Sequence, residues 1–117
     1  MAWRSILACI VVTIMLAGGQ VLFKIAAESI SERRAISWLA ASTSPWLLSA
    51  IAMHGAATVL WIAILSREPL SRAYPFVLAG AALVPLLANA VFHEPLSLRY
   101  WIGMAVILAG IALTQSS

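Results

Sequence analysis

Lys24 is a charged side chain inside sequence that reads as a membrane span. An apolar run from Ile6 to Phe23, broken only by Thr13, Gly18, Gly19 and Gln20, leads into it, and Ile25-Ala26-Ala27 follows. An ammonium at the centre of a spanning helix costs ~2.5–3.5 kcal/mol, so such a charge either serves a pathway, a ligand or a partner, or snorkels to a nearby interface. Gln20 lies four residues earlier, on the same helical face. Gly18 and Gly19 precede both and leave room for another backbone to approach. A cation and an amide beside a glycine gap can grip a phosphate, the lysine acting as a point charge.

Other groups could join them. Glu94, with His93 at the end of the third apolar segment, is placed to pair with Lys24 or Arg99, or to stand as an interfacial carboxylate. His54 sits mid-way along the second segment, where it can carry protons or hydrogen-bond a neighbouring helix. Tyr74-Pro75 opens the third segment with the hydroxyl near the headgroups. Pro85 should kink that segment, and Asn89 needs a polar partner. In the fourth segment Gly103 and Gly110 are seven residues apart, with Ile107 between them and Ala105, Ala109 and Ala112 near the same strip. Small residues at that spacing pack helices, within one chain or between two.

The elements that position these groups follow from composition. The 117 residues are 63% hydrophobic and 9% charged, with a mean hydropathy of +1.01. A soluble domain carries about 25% charged residues, so nearly all of this chain belongs in lipid and a soluble catalytic domain does not fit. The single cysteine, Cys9, cannot form an internal disulfide. The net charge of +3 comes from basic residues at the ends of apolar segments. There they orient helices and meet lipid phosphates, so nucleic acid is not the expected partner. Zinc-ligand spacing, paired acids, a phosphate-binding glycine loop and a serine–histidine–acid set are all missing. Neither an enzyme activity nor a metal or cofactor is expected.

Four segments, at about 3–27, 46–65, 73–92 and 100–114, approach the ~20 residues that a ~30 Å hydrocarbon core requires. Backbone groups in lipid must be satisfied internally, and these runs are too long and unalternating for barrel strands, so they are helices. The expectation is an all-α membrane protein, one four-helix domain over 1–117, whose first helix is not a cleaved signal. The long connection, 28–45, includes 36–40, apolar enough to lie in the interface. Trp3, Trp38, Trp46, Trp61 and Trp101 fall near helix ends, as interfacial tryptophans do. Arg4, Arg67 and Arg72 lie on one side and Arg33, Arg34 and Arg99, with Lys24, on the other. That balance favours neither orientation: the chain either inserts both ways or is oriented by a partner. Glu68-Pro69-Leu70-Ser71 recurs as Glu94-Pro95-Leu96-Ser97, each three residues before a tyrosine. Either both are good helix starts, with serine as N-cap, or a hairpin unit is used twice.

Ala73-Tyr74-Pro75-Phe76, Phe92-His93-Glu94-Pro95-Leu96-Ser97, Trp101-Ile102-Gly103 and Ile107-Leu108-Ala109-Gly110 together resemble the drug/metabolite transporter superfamily. That superfamily includes the four-helix small multidrug resistance proteins and the EamA-type transporters. The multidrug exporters carry a glutamate within the first helix, which exchanges protons for cationic drugs; the matching position here is Leu16, and no acid precedes Glu28. The resemblance is closer to the small subunits of the aminoarabinose-phosphoundecaprenol flippase. Their Ala-Gly-Gln with a lysine four residues on is matched by Gly19-Gln20 and Lys24, and their Ala-Tyr-Pro and His-Glu-Pro by Tyr74 and Glu94.

The resemblance implies movement of a polyprenyl-phosphate-linked sugar, or a similar anionic lipid, across the bacterial inner membrane. Lys24 and Gln20 would hold the phosphate, and Tyr74, Glu94 and His54 would line the path. It implies a homodimer, or a heterodimer with a similar four-helix subunit, through the Gly103–Ile107–Gly110 face. Two rival readings are a proton-coupled exporter of cationic compounds working through Glu94, and a non-transporting helper of a membrane glycosyltransferase.

Overall fold

The computed structural model describes residues 2–32 and 44–116. Its first element, α1 (Trp3–Glu32), is one helix of 30 residues. At ~1.5 Å per residue it is ~45 Å long, more than the ~30 Å of hydrocarbon, so its last turns reach headgroup depth. Thr13 donates its hydroxyl to the Cys9 carbonyl at 2.8 Å, which satisfies it within the helix. The second element, α2 (Pro45–Leu65), starts on Ser44, whose hydroxyl accepts from the Leu47 N–H at 3.4 Å. Pro45 follows at the first helical position, where its missing N–H is no loss.

The third span is in three pieces: α3 (Leu70–Leu78), a 3₁₀ segment (Ala79–Ala82) and α4 (Leu83–Phe92). Pro85 cannot donate to the carbonyl four residues earlier, and its ring crowds that turn. The span tightens into 3₁₀ geometry at Ala79–Ala82, just ahead of it, which is where the helix is disturbed. Gly80 lies in that tightened stretch. A Cβ there would collide with the Cγ2 of Thr13, so only glycine lets the third span sit this close to α1. At the other end of α4, His93 turns the chain in the left-handed conformation, φ 56 and ψ 33. Asn89 donates its amide to the Glu94 carbonyl at 2.8 Å and closes the corner, which is the partner Asn89 needs.

The last helix, α5 (Leu98–Gln115), is capped by Ser97, which accepts from the Tyr100 N–H at 3.1 Å. The repeated Glu-Pro-Leu-Ser therefore works differently in its two copies. In the first, the turn begins at Pro69, whose carbonyl accepts from the N–H groups of Arg72 and Ala73, and Ser71 lies inside the helix. Serine is the N-cap only in the second copy. Gln115 donates to the Arg72 carbonyl at 2.9 Å and ties the end of α5 to the start of α3.

Cys9 and Val12 of α1, Ile64 of α2 and Ala73 of α3 form the core, with Leu16, Leu60, Trp61 and Phe76 packed around them. α1 packs most extensively on α2, while α5 buries none of its residues and lies mainly along the third span. The Cα extents are 50 × 37 × 17 Å. Cα atoms lie ~2.3 Å from a helix axis and packed axes are ~8–10 Å apart, so 17 Å corresponds to about two layers of helices. Among the described residues there are four helices long and apolar enough to cross a membrane and no strand. The interfacial reading of 36–40, with Trp38, Arg33 and Arg34, lies outside the described residues.

His93 is the only non-glycine residue at positive φ among those described. The left-handed conformation costs an L-residue ~1–2 kcal/mol that glycine does not bear. His93→Gly should raise the melting midpoint of the detergent-purified protein and His93→Val should lower it, measured by circular dichroism. The reverse order would contradict the corner described here.

Candidate functional site

Helical spacing builds the site. On α4, Val84, Ala88 and Phe92 recur every four residues and form one stripe; on α1, Gln20 and Lys24 are four apart and Val21, three before Lys24, lies beside them. These stripes face each other across a cavity of about 210 Å³ that Glu94 completes from the corner beyond α4. Val21, Val84, Ala88 and Phe92 make its walls apolar. Lys24, Gln20 and Glu94 give it a cation, an amide and a carboxylate. A neighbouring cavity of about 260 Å³ shares Gln20 and Val84 and runs past Leu16 and Ala17 to Tyr74. Gln20 thus stands between the Lys24–Glu94 pair and the Tyr74 ring, which itself lies 6.4 Å from Trp61, centroid to centroid.

The charges in the first cavity are not bonded to each other. Lys24 Nζ is 3.8 Å from the carboxylate of Glu28, one turn further along α1, with the two side chains 48% and 53% exposed. An exposed pair at that spacing contributes only ~0.3–0.5 kcal/mol, too little to lock the ammonium. Glu94 pairs with neither Lys24 nor Arg99 among the described residues, which leaves it as the interfacial carboxylate, the other of the two readings of the sequence. The physical reason is local: Glu28 is already four residues from Lys24 on one face, while Asn89 fixes the Glu94 backbone at the corner. The cavity therefore offers a positive and a negative group from different walls. A ligand that carries both signs can satisfy each without first breaking a strong bridge.

His54 is not part of this lining. Its Nδ1 lies 3.0 Å from the Ala50 carbonyl, which can only accept, so that nitrogen carries the proton. The ring packs on Phe23, 4.6 Å between centroids, and directly over Gly19. What enters the glycine gap is thus the His54 ring rather than a backbone. Gly18 faces open space. The histidine works here as a half-buried packing group between α1 and α2. A Cβ on Gly103 or Gly110 would also meet nothing, and Ile107 is half exposed, so among the described residues no helix packs against that face. Leu16 puts an alkyl group on the wall of the Tyr74 cavity, where an exporter would carry its acid. The Val84–Ala88–Phe92 stripe is the part of the site not singled out from sequence, although its four-residue recurrence was the signal for it.

A probable 4-amino-4-deoxy-L-arabinose-phosphoundecaprenol flippase subunit ArnE of Pseudomonas fluorescens (strain Pf0-1) is 33% identical over 111 residues, 95% of this chain and 93% of its own length. A protein of the same description from Aeromonas hydrophila subsp. hydrophila is 37% identical over 109 residues, 93% of this chain and 95% of its own. One from Escherichia coli O81 (strain ED1a) is 42% identical over 72 residues, 62% of this chain and 65% of its own. No family model and no solved structure matches the chain. Four helices able to span a bilayer, together with bacterial relatives of this kind, make it a multi-pass protein of the bacterial inner membrane.

The close approach of His54 to Gly19 is open to a double-mutant test. Gly19→Ala should overpack the seam and cost ~1–3 kcal/mol. Adding His54→Ala should return most of that loss, read from melting in detergent. Strictly additive losses would mean that the two residues do not touch.

Proposed function

Because this chain belongs to the ArnE family of small flippase subunits, we propose that it moves a polyprenyl-phosphate-linked amino sugar across the inner membrane as one half of a paired transporter. The observation that carries this reading is the unbonded pair of opposite charges in one cavity. The lipid in the relatives' name has a phosphate and, on its sugar, an amine. Lys24, with the Gln20 amide beside it, takes the phosphate as a point charge, and Glu94 takes the sugar ammonium. Each charge-assisted contact of this kind is worth ~1.5–3 kcal/mol. Tyr74 lies along the adjoining cavity and offers the next hydroxyl to a headgroup that moves past Gln20. His54 has no place on this path.

No bond is made or broken in this scheme; the four helices of 1–117 act as one domain that binds and releases. A second four-helix subunit, identical or related, would close the path, and the Gly103–Ile107–Gly110 face is where it would dock. Proton-coupled export of cations is not favoured, since Leu16 occupies the position where that mechanism needs an acid.

The test is transport in proteoliposomes holding the subunit with its partner. Two short-chain polyprenyl phosphosugars serve as cargo, one with the amine and one with a hydroxyl in its place. Lys24→Gln should slow both cargoes by ~10–100-fold, the loss of one charge-assisted contact. Glu94→Gln should slow the amino sugar by a similar factor and spare the other. Equal effects of Glu94→Gln on the two cargoes would remove the amine contact, and unchanged rates in Lys24→Gln would remove the phosphate site.

A further inference from the structure

The membrane boundary opposite Lys24 carries a basic cavity of its own. Arg4 and Arg67 both line a space of about 300 Å³ between the start of α1 and the end of α2, with Ser5 and Ser66 beside them and Ala8 and Leu60 on its apolar wall. Neither guanidinium has an acidic partner among the described residues; the contact made by Arg4 is with the Trp3 ring, 6.0 Å from its centroid. Glu68, although next in sequence to Arg67, is not on the lining. Ser5 is only 8% exposed, and its hydroxyl makes no hydrogen bond among the described residues. A hydroxyl free to donate into the cavity, beside two guanidinium groups without an acidic partner, suits an anionic acceptor.

This is not the far end of the Lys24 cavity. Twenty residues separate Arg4 from Lys24, a rise of about 30 Å, which matches the hydrocarbon thickness. The same twenty residues turn the helix by about 200°, so the two cations point to opposite sides of α1. Lys24 faces α4, and Arg4 faces the seam with α2. The second cavity needs a ligand that reaches it from the opposite leaflet and from a different side.

We propose that Arg4, Arg67 and Ser5 bind the phosphodiester of an anionic bilayer lipid of the phosphatidylglycerol class, whose acyl chain lies against Ala8 and Leu60. The guanidinium forks match phosphate oxygens in pairs, and the Ser5 hydroxyl donates a further hydrogen bond. The apolar wall begins where the headgroup ends, so an acyl chain gains contact that a free anion does not. The lipid fastens the α1–α2 seam at its open end. The site is independent of what is transported.

Native mass spectrometry of the detergent-purified protein tests it, with phosphatidylglycerol, phosphatidylcholine and inorganic phosphate as probes. Phosphatidylglycerol adducts should outlast those of phosphatidylcholine. Arg4→Gln and Arg67→Gln should each weaken phosphatidylglycerol binding by about tenfold, and Ser5→Ala by less. Arg99→Gln, a control for diffuse interfacial charge, should leave binding unchanged. Arg4→Lys and Arg67→Lys keep the charge but lose the fork, and should fall between wild type and the glutamine variants, which also guards against loss of folding in the latter. Three results would overturn the proposal: equal retention of the two lipids, a loss in Arg99→Gln as large as in Arg67→Gln, or displacement of the lipid by inorganic phosphate at matched concentration.

Discussion

One ammonium group at the edge of the hydrocarbon organises this molecule. A charge there must find water, a headgroup or a counter-ion, since hydrocarbon offers nothing in exchange for its hydration. The fold supplies partial answers. α1 runs on past the bilayer core, which lifts Lys24 to headgroup depth and puts Glu28 one turn beyond it. The third span, broken ahead of Pro85, brings an apolar stripe of α4 against the same face. The left-handed corner at His93, closed by Asn89, then delivers the Glu94 carboxylate to the opposite wall. The ammonium keeps only a weak, exposed pair with Glu28, which leaves it able to bind an anion.

Much of this was legible in the residues themselves. Long apolar runs without alternation can only be helices in lipid, and four of them were plain from hydropathy. Gln20 and Lys24 had to share a face because they are four apart. Pro85 had to disturb its helix. At three places the sequence left alternatives that only packing decides. α2 is apolar almost all round, so its sequence does not say which face meets α1; His54 faces Gly19. Glu94 could bridge to Lys24 or stand alone, and Glu28, one turn from Lys24 on the same helix, is the nearer carboxylate. The two Glu-Pro-Leu-Ser copies look alike, yet a proline carbonyl that starts a turn by itself makes the first serine redundant as a cap.

The molecule is also sparsely buried. Most of its buried residues are small, and α5 has no buried face at all. In lipid there is no hydrophobic drive to cover such a face, so what packs on it must do so by close fit. Gly103 and Gly110, each with open space where a side chain would be, are shaped for such an approach. The pairing proposed for this chain is supported by that open face and by the description of its relatives as subunits.

Lys24 is the only lysine in the chain, so labelling lysine side chains with ¹⁵N places one reporter at the centre of the account. Solid-state NMR can recouple that nitrogen to the ³¹P of a short-chain polyprenyl phosphosugar in a bilayer of otherwise phosphorus-free lipid. The account predicts a direct nitrogen–phosphorus coupling at ion-pair distance, which appears when cargo is added. Saturating cargo with no coupling at that nitrogen would contradict it.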